Sequence, residues 1–330
     1  MTVGWGIVGL GRSANTLLAP GITADPNSRL VAVVSRDEER AADFARRHGA
    51  TWSGISYDDL LSNPEVDIVL ITTPNALHSE QVVAAARAGK HVVCDKPLGI
   101  NAIEAALAVA VCSHARVQLG IVFESRQIPC FQIAREVIRS GGIGDVVAIQ
   151  IDASAGDRAL ISWRADPVLA GLGTVFNVGV HTFDILRYML DSEVVEVSAM
   201  FETGQRPELE RLAMVLMRFA CGALVYANTN ELTPFPLNDF VVHGAKGRID
   251  GRGISRPGGS GEMRVLTPTG ESIERSDSAE CWRLTVAGFS KALIAGAEFS
   301  PSGIDGLRSA ELTDAIAVSA RQNVTVHLGT

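Results

Sequence analysis

Runs of β-branched and aliphatic residues recur at 3–8, 30–34, 67–72, 91–94 and 116–121, and between them apolar residues repeat at helical spacing over 12–24, 38–48, 57–62, 79–88 and 102–113. The first pattern predicts strands and the second helices. Strand and helix in alternation specify a doubly wound parallel sheet, an α/β arrangement. Beyond residue 122 the texture changes. Helices are expected at 129–139, 174–190, 283–295 and 306–321, and strands at 145–153, 212–219, 223–228, 240–243, 248–250 and 263–267. Cys221-Gly222 reads as a hairpin turn, and the glycine-rich stretch 244–261 as largely loop. Such an order predicts an α+β domain with a large open, mostly antiparallel sheet. The expected division is 1–122 and 123–330.

A chain of 330 residues with 47% hydrophobic content can bury the cores of two domains. Its net charge of −8 and 5% aromatic content argue against nucleic acid as a partner. The five cysteines are odd in number, scattered and without a C-x-x-C pair, so they read as reduced thiols and neither as a disulfide framework nor as a zinc site. No metal site is expected. Met1 runs directly into the first strand, and neither a leader nor an apolar span of about 18 residues is read from the sequence. A cytoplasmic protein without membrane attachment is the expectation.

Candidate chemistry begins at Gly6-Ile7-Val8-Gly9-Leu10-Gly11-Arg12-Ser13-Ala14. In a G-x-G-x-x-G/A fingerprint the first glycine makes the turn from strand to helix, the second lets the backbone approach a pyrophosphate, and the third small residue lets helix pack on strand. Gly9, Gly11 and Ala14 fill those places, while the helix opened by Arg12 and Ser13 directs its positive dipole end at the phosphates. Past the second strand, where an acidic residue would bind the ribose hydroxyl of NAD, stand Ser35 and Arg36, with Arg40 one turn on. A hydroxyl beside guanidinium groups suits a 2′-phosphate, so NADP(H) is the preferred cofactor and NAD(H) the alternative. Ser35 and Asp37 would also serve as helix caps, and Asp37 could itself take the ribose.

Two further stretches, Ile71-Thr72-Thr73-Pro74-Asn75-Ala76-Leu77-His78 and Gly89-Lys90-His91-Val92-Val93-Cys94-Asp95-Lys96-Pro97-Leu98, join the fingerprint in resembling the glucose-fructose oxidoreductase / inositol dehydrogenase (Gfo/Idh/MocA) family. The likeness continues through Ser140-Gly141-Gly142-Ile143-Gly144, Ser162-Trp163-Arg164 and Phe240-Val241-Val242-His243-Gly244-Ala245-Lys246-Gly247, and so spans the chain. It implies a Rossmann domain followed by a sheet domain through which subunits pair, as a homodimer or homotetramer. It implies that Thr72–His78, with Thr73, Pro74 and Asn75, lies along the dinucleotide and that Lys96 of Asp95-Lys96-Pro97 sits beside nicotinamide and substrate. The family motif is E-K-P, so Asp95 is a mild departure. Independently, Lys96 follows a strand at the carboxyl edge of the sheet, where an ammonium can polarise a reacting oxygen. Lys90 is the contrasting surface lysine.

The other chemical group lies on the apolar helix. Spacings of four and three place Asn177, His181 and Asp184 along one stripe, which must face a partner or a pocket. By resemblance to D-x-G-x-H-x-x-D, His181 exchanges a proton with the substrate. Asp184 could equally pair with Arg187. Asn177 replaces the family carboxylate; without a carboxylate the imidazolium would sit lower by about 1–3 pKa units. That substitution suits either a carbonyl reductase or a non-catalytic dinucleotide- or sugar-binding regulator. Phe123-Glu124-Ser125-Arg126 at the domain junction and Trp163-Arg164 are candidate linings of the substrate pocket, with Arg126, Trp163 and Arg164 as candidate substrate contacts alongside Asp184. The expectation is an NADP-preferring oxidoreductase of a sugar, polyol or related carbonyl compound, with an NAD-dependent inositol-type dehydrogenase as the enzymatic alternative.

Overall fold

Val3, Trp5, Ile7 and Val8 are exposed by 5% or less, so β1 (Val3–Val8) is buried on both faces, as a central strand covered by helices must be. In the computed structural model, which describes residues 2–156, 162–204, 208–255 and 259–329, β1 pairs in parallel with β2 (Ser28–Val34) and β4 (Ile68–Ile71). Adding β3 (Trp52–Gly54), β5 (His91–Asp95) and β6 (Leu119–Val122) gives a six-stranded parallel sheet of order β3-β2-β1-β4-β5-β6. The order reverses between β1 and β4, and a doubly wound sheet binds ligands outside the carboxyl ends of its strands at that switch point.

Helices connect the strands. The first, α1 (12–24), contains a π-helical turn over Ala14–Leu18 before Ala19–Ala24. It is followed by α2 (Glu38–His48), α3 (Tyr57–Ser62), α4 (His78–Arg87) and α5 (Ala102–Ala115). The polar side chains of Asp37, Ser56 and Asn101 each accept a backbone N–H three residues on, at 3.1, 3.1 and 2.9 Å, and so fix three of the starts.

The chain divides into two units: Met1–Phe123 with Trp282–Ala310, and Glu124–Cys281 with Glu311–Thr330. Residues 282–310, which the sequence pattern assigns to the second domain, group with the first sheet. Val286, Phe289 and Phe299 complete its apolar core, and Trp5 Nε1 donates to Ser290 Oγ at 3.0 Å. Most of α9 (Cys281–Ala295) thus belongs to the first unit, whereas α10 (Gly303–Gln322) runs on into the second.

The second unit holds β7 (Val146–Ser154), β8 (Val194–Glu202), β9 (Leu212–Phe219), β10 (Leu224–Asn230), β11 (Phe240–Gly244), β12 (Arg248–Arg252), β13 (Ser260–Thr267), β14 (Gly270–Asp277) and β15 (Val326–His327). They form a nine-stranded sheet of order β14-β13-β12-β11-β7-β10-β9-β8-β15. Only β7 and β10 pair in parallel, so the sheet is mixed and mostly antiparallel. One face is covered by α6 (Pro129–Arg139), whose Phe131 packs on Phe240 at 5.3 Å between ring centres. Then come α7 (Pro167–Ala170) and α8 (Val180–Leu190), the latter preceded by a π-helical turn, Val175–Gly179.

Four strands, β3, β8, β14 and β15, go beyond those expected from the pattern, and β12 extends further into the expected loop 244–261, of which 256–258 lie outside the described residues. The segment 167–190 is apolar and long enough to cross a membrane, correcting the expectation that no such span exists; 67% of its most apolar 18-residue window is buried inside the protein, as in a core helix.

Candidate functional site

In the first unit the chain leaves β1 through Gly9, whose φ is +90°. A Cβ there would come within 2.7 Å of Thr72 C and Thr73 N, so only glycine lets this turn lie against the loop after β4. The Thr72 hydroxyl closes the contact by donating to the Gly9 carbonyl. At Gly11 a Cβ would meet nothing within 4 Å. The backbone is open on that side, at the start of α1, where N–H groups and helix dipole favour an anion. Ala14 is fully buried and lets α1 sit close to the sheet.

After β2, Ser35 Oγ accepts the Asp37 N–H at 3.3 Å, and Asp37 caps α2. Arg36 is exposed. The Arg40 guanidinium reaches back to donate to the Leu10 carbonyl at 2.8 Å, beside the glycine turn. A cleft of about 560 Å³ opens here, lined by Gly11, Arg12, Arg40 and Arg47 among others. Asp37, Glu39 and Asp43 line it too, so its three guanidinium groups are matched by three carboxylates, and the open backbone and helix start at Gly11 are what fit a dinucleotide phosphate.

The next two loops are tied to each other. His78 is 1% exposed; its Nδ1 faces the Pro97 carbonyl at 2.6 Å and its Nε2 the Thr73 carbonyl at 2.9 Å. His78 thereby joins the Thr72–Pro74 loop to the turn carrying Lys96. Asn75 is buried, and Thr73 Oγ1 donates to Gln81 Oε1 at 2.6 Å. Asp95 Oδ1 accepts the Lys96 N–H at 2.9 Å, and Lys96 is half-buried ahead of a cis peptide to Pro97. Lys90 is structural, its ammonium donating to the carbonyls of Asn63 and Val66 at 2.8 and 2.9 Å, and burial pulls its pKa down.

The second unit brings His181 and Asp184 together with the turn Glu124–Gln127. His181 Nδ1 lies 3.4 Å from Glu124 Oε1. Arg126 holds Asp184 with two hydrogen bonds, 2.8 Å from Nε and 2.6 Å from Nη2, in a pair whose side chains are 10% and 0% exposed. Arg187 Nη1 lies 3.8 Å from Asp184, and Arg187 binds Glu193 with two contacts of 2.6 Å. Asn177 Nδ2 donates instead to Glu231 Oε2 at 3.3 Å, just beyond β10. His181 and Asp184 thus meet the turn at 124–127, and Asn177, within the π-helical turn Val175–Gly179, meets the residue after β10. Elsewhere in this unit the Arg164 guanidinium stacks 4.3 Å over the Trp163 ring.

Two buried carboxylates, Glu210 and Glu231, exposed by 2% and 5%, escape the sequence reading, and a third, Glu124, exposed by 3%, is read there only as part of a candidate pocket-lining stretch. Glu210 Oε1 accepts the Val175 N–H at 2.9 Å and anchors the start of the histidine-bearing helix. Burial pushes its carboxyl up, against the opposing pull of backbone N–H groups and Arg321. Glu124 follows Phe123 in a stretch without helical or strand periodicity, so the only sequence signal was its place at the domain junction.

Comparison with known proteins agrees with both halves. Residues 3–123 match the model of the oxidoreductase family with an NAD-binding Rossmann fold, and residues 131–250 match the GFO/IDH/MocA C-terminal domain. The chain is 31% identical over 308 residues to the 1,5-anhydro-D-fructose reductase of Ensifer adhaerens, covering 92% of each. It is 26% identical to the levoglucosan dehydrogenase of Pseudarthrobacter phenanthrenivorans, over 87% of this chain and 86% of the relative. The crystal structure of the aldose-aldose oxidoreductase from Caulobacter crescentus complexed with glycerol superposes with a TM-score of 0.91 at 28% identity, covering 99% of this chain and 100% of that one. The chain belongs to the GFO/IDH/MocA family and is an NAD(P)-dependent oxidoreductase acting on CH–OH and C=O groups of sugars.

Proposed function

We propose that the protein is an NADP-preferring oxidoreductase of a cyclic sugar, polyol or related carbonyl compound, with NAD(H) as the weaker cofactor. The observation that carries the cofactor preference is the use of Asp37. The acidic residue nearest the ribose end caps α2, while Arg36 stays exposed and Arg40 is held against the glycine turn. A 2′-phosphate would meet Ser35, Arg36 and Arg40 there. Gly9, Gly11, Arg12, Ser13 and Ala14 would hold the pyrophosphate, and the loop from Thr72 to His78 would flank the rest of the dinucleotide. Bound, that cofactor supplies or accepts the hydride.

The chain's own residues handle the oxygen. Lys96 donates a hydrogen bond that favours alkoxide character, and His181 exchanges the proton. Asp95 orders the lysine turn. Trp163 and Arg164 present a flat apolar surface and a donor fork to a sugar ring and its hydroxyls. Arg126 and Asp184 act as scaffold, since each engages the other through both prongs. The names of the two relatives, a reductase of 1,5-anhydro-D-fructose and a dehydrogenase of levoglucosan, support an anhydro-sugar class. The regulator reading loses its motive, because His181 has Glu124 beside it although position 177 is an amide.

A second copy of the chain would cover the open face of the nine-stranded sheet. Met200, Leu216 and Leu224 are 74%, 59% and 48% exposed there, and register places Leu216 opposite Tyr226. Light scattering of wild type and Leu216→Asp checks this: a wild-type oligomer that dissociates supports the pairing, and an unchanged mass removes it. Work in a reducing, cytoplasmic setting matches five free thiols.

The function is tested by turnover of anhydro-sugars, aldoses and inositols with NADPH and NADH, for wild type and Arg36→Ala. Turnover in which Arg36→Ala weakens NADPH use far more than NADH use supports the reading. Equal losses overturn the cofactor assignment, and no turnover across the panel overturns the substrate class.

A further inference from the structure

His181 keeps a carboxylate neighbour although the position one turn before it carries an amide. Glu124 Oε1 lies 3.4 Å from His181 Nδ1, within ion-pair reach but outside hydrogen-bond geometry, with the glutamate side chain 4% exposed and the imidazole 17%. Asn177 has a different partner, Glu231 Oε2 at 3.3 Å. A carboxylate at 177 would face Glu231 at hydrogen-bond distance, and two like charges in so buried a place disfavour joint ionisation. The other charged groups on elements packed here are engaged: Arg126 and Arg187 with Asp184, Arg135 4.2 Å over the Tyr188 ring, Glu231 with Asn177, and Asp152 with Asn228.

We propose that Glu124 is the positioning residue for His181: it holds the proton on Nδ1, stabilises the imidazolium, and assigns proton exchange with the substrate to Nε2. The proposal rests on His181 being the proton-exchanging group. In carbonyl reduction, with bound reduced nicotinamide supplying the hydride to the substrate carbon, the His181 Nε2–H bond would break and the new O–H bond would take that proton. The ring is left neutral, with its Nδ1 proton against Glu124. Oxidation runs the same transfers in reverse. A carboxylate this close raises a histidine's pKa by about 1–3 units relative to the same site without it.

Nuclear magnetic resonance of the full chain tests this without turnover. The protein has seven histidines, and His181→Ala identifies the signal of interest by its loss. Ring nitrogen shifts of wild type above the titration midpoint should report the Nδ1–H tautomer of His181; the Nε2–H tautomer would overturn the proposal, and no substitution near the site is needed for that measurement. Glu124→Gln should lower the His181 midpoint by about 1–3 units while the other six signals keep theirs, and Glu124→Asp should restore most of it. An unmoved midpoint in Glu124→Gln overturns the proposal. The kinetic readout separates this failure from failure of the proposed function. If His181→Ala abolishes the pH dependence of kcat/KM but Glu124→Gln leaves it in place, only the role of Glu124 fails. If His181→Ala leaves the profile unchanged, the role of His181 fails and that of Glu124 with it.

Discussion

Replacing Gly11 with alanine should leave the fold intact and weaken dinucleotide binding, whereas the same change at Gly9 should damage the fold. At Gly11 the added methyl meets no atom within 4 Å, so stability should stay level or rise by up to about 1 kcal/mol through the less flexible unfolded chain. The open space is where the pyrophosphate would approach the backbone. Filling it should raise the Kd for NADPH at least tenfold, about 1.4 kcal/mol. At Gly9 the methyl would sit 2.7 Å from Thr72 C and Thr73 N and 2.8 Å from Thr72 O, on a residue at φ +90°. Backbone strain and overpacking together should cost about 2–6 kcal/mol, and at about 2–4 °C per kcal/mol the melting temperature should fall by about 4–24 °C. Thermal unfolding without ligand measures the first quantity and fluorescence titration with NADPH the second. Gly11→Ala binding NADPH as wild type does would refute the placement of the cofactor, and Gly9→Ala melting with wild type would refute the steric argument.

Arg126→Ala should destabilise the protein by about 3–5 kcal/mol in urea unfolding, because it strips the bidentate partner from a fully buried Asp184; Arg126→Ala with Asp184→Ala should recover much of the loss. Of the five thiols only Cys221 is exposed, and burial pushes Cys94 and Cys130 up and Cys112 to about 12. A thiol reagent at neutral pH should therefore titrate one cysteine rapidly in the native protein and five after unfolding. Burial lowers the pKa of His91 below 6.5, against the weaker pull of Asp67, and its Nδ1 accepts the Gln118 N–H at 3.0 Å. The unfolded chain binds more protons between the lowered value and 6.5, so His91 contributes a loss of stability as pH falls through that window. His91→Gln should flatten the stability profile there, and an unaltered slope would exclude His91 as its source.

What the sequence made legible followed physical necessity. The alternation of Val- and Ile-rich runs with helical periodicity specifies the parallel sheet, because both faces of its strands are buried and read as apolar runs. The glycine turn was legible for the same reason: Gly9 has no alternative at φ +90°. Strand β14, GESIERSD, was not, since its residues are almost all exposed and backbone pairing with β13, not an apolar stripe, holds it in place. A three-residue strand such as β3 is too short to show a period. At the site, spacing put His181 and Asp184 on one face correctly, and both meet the turn at 124–127. The partner of Asn177, Glu231 just beyond β10, was not legible, because no periodicity announces a contact made only in the fold. Glu124 was invisible as a partner of His181 because the two are brought together only by tertiary folding.

Transfer of label from the cofactor tests the central claim most directly. NADPH carrying deuterium at nicotinamide C4 would be incubated with wild type and the panel of anhydro-sugars, ketoses and inosose-type carbonyls, and the products read by nuclear magnetic resonance. The account predicts deuterium on the carbon that bears the new hydroxyl of at least one sugar product, with the signal lost in His181→Ala. NADPH bound tightly with no label in any product would contradict it.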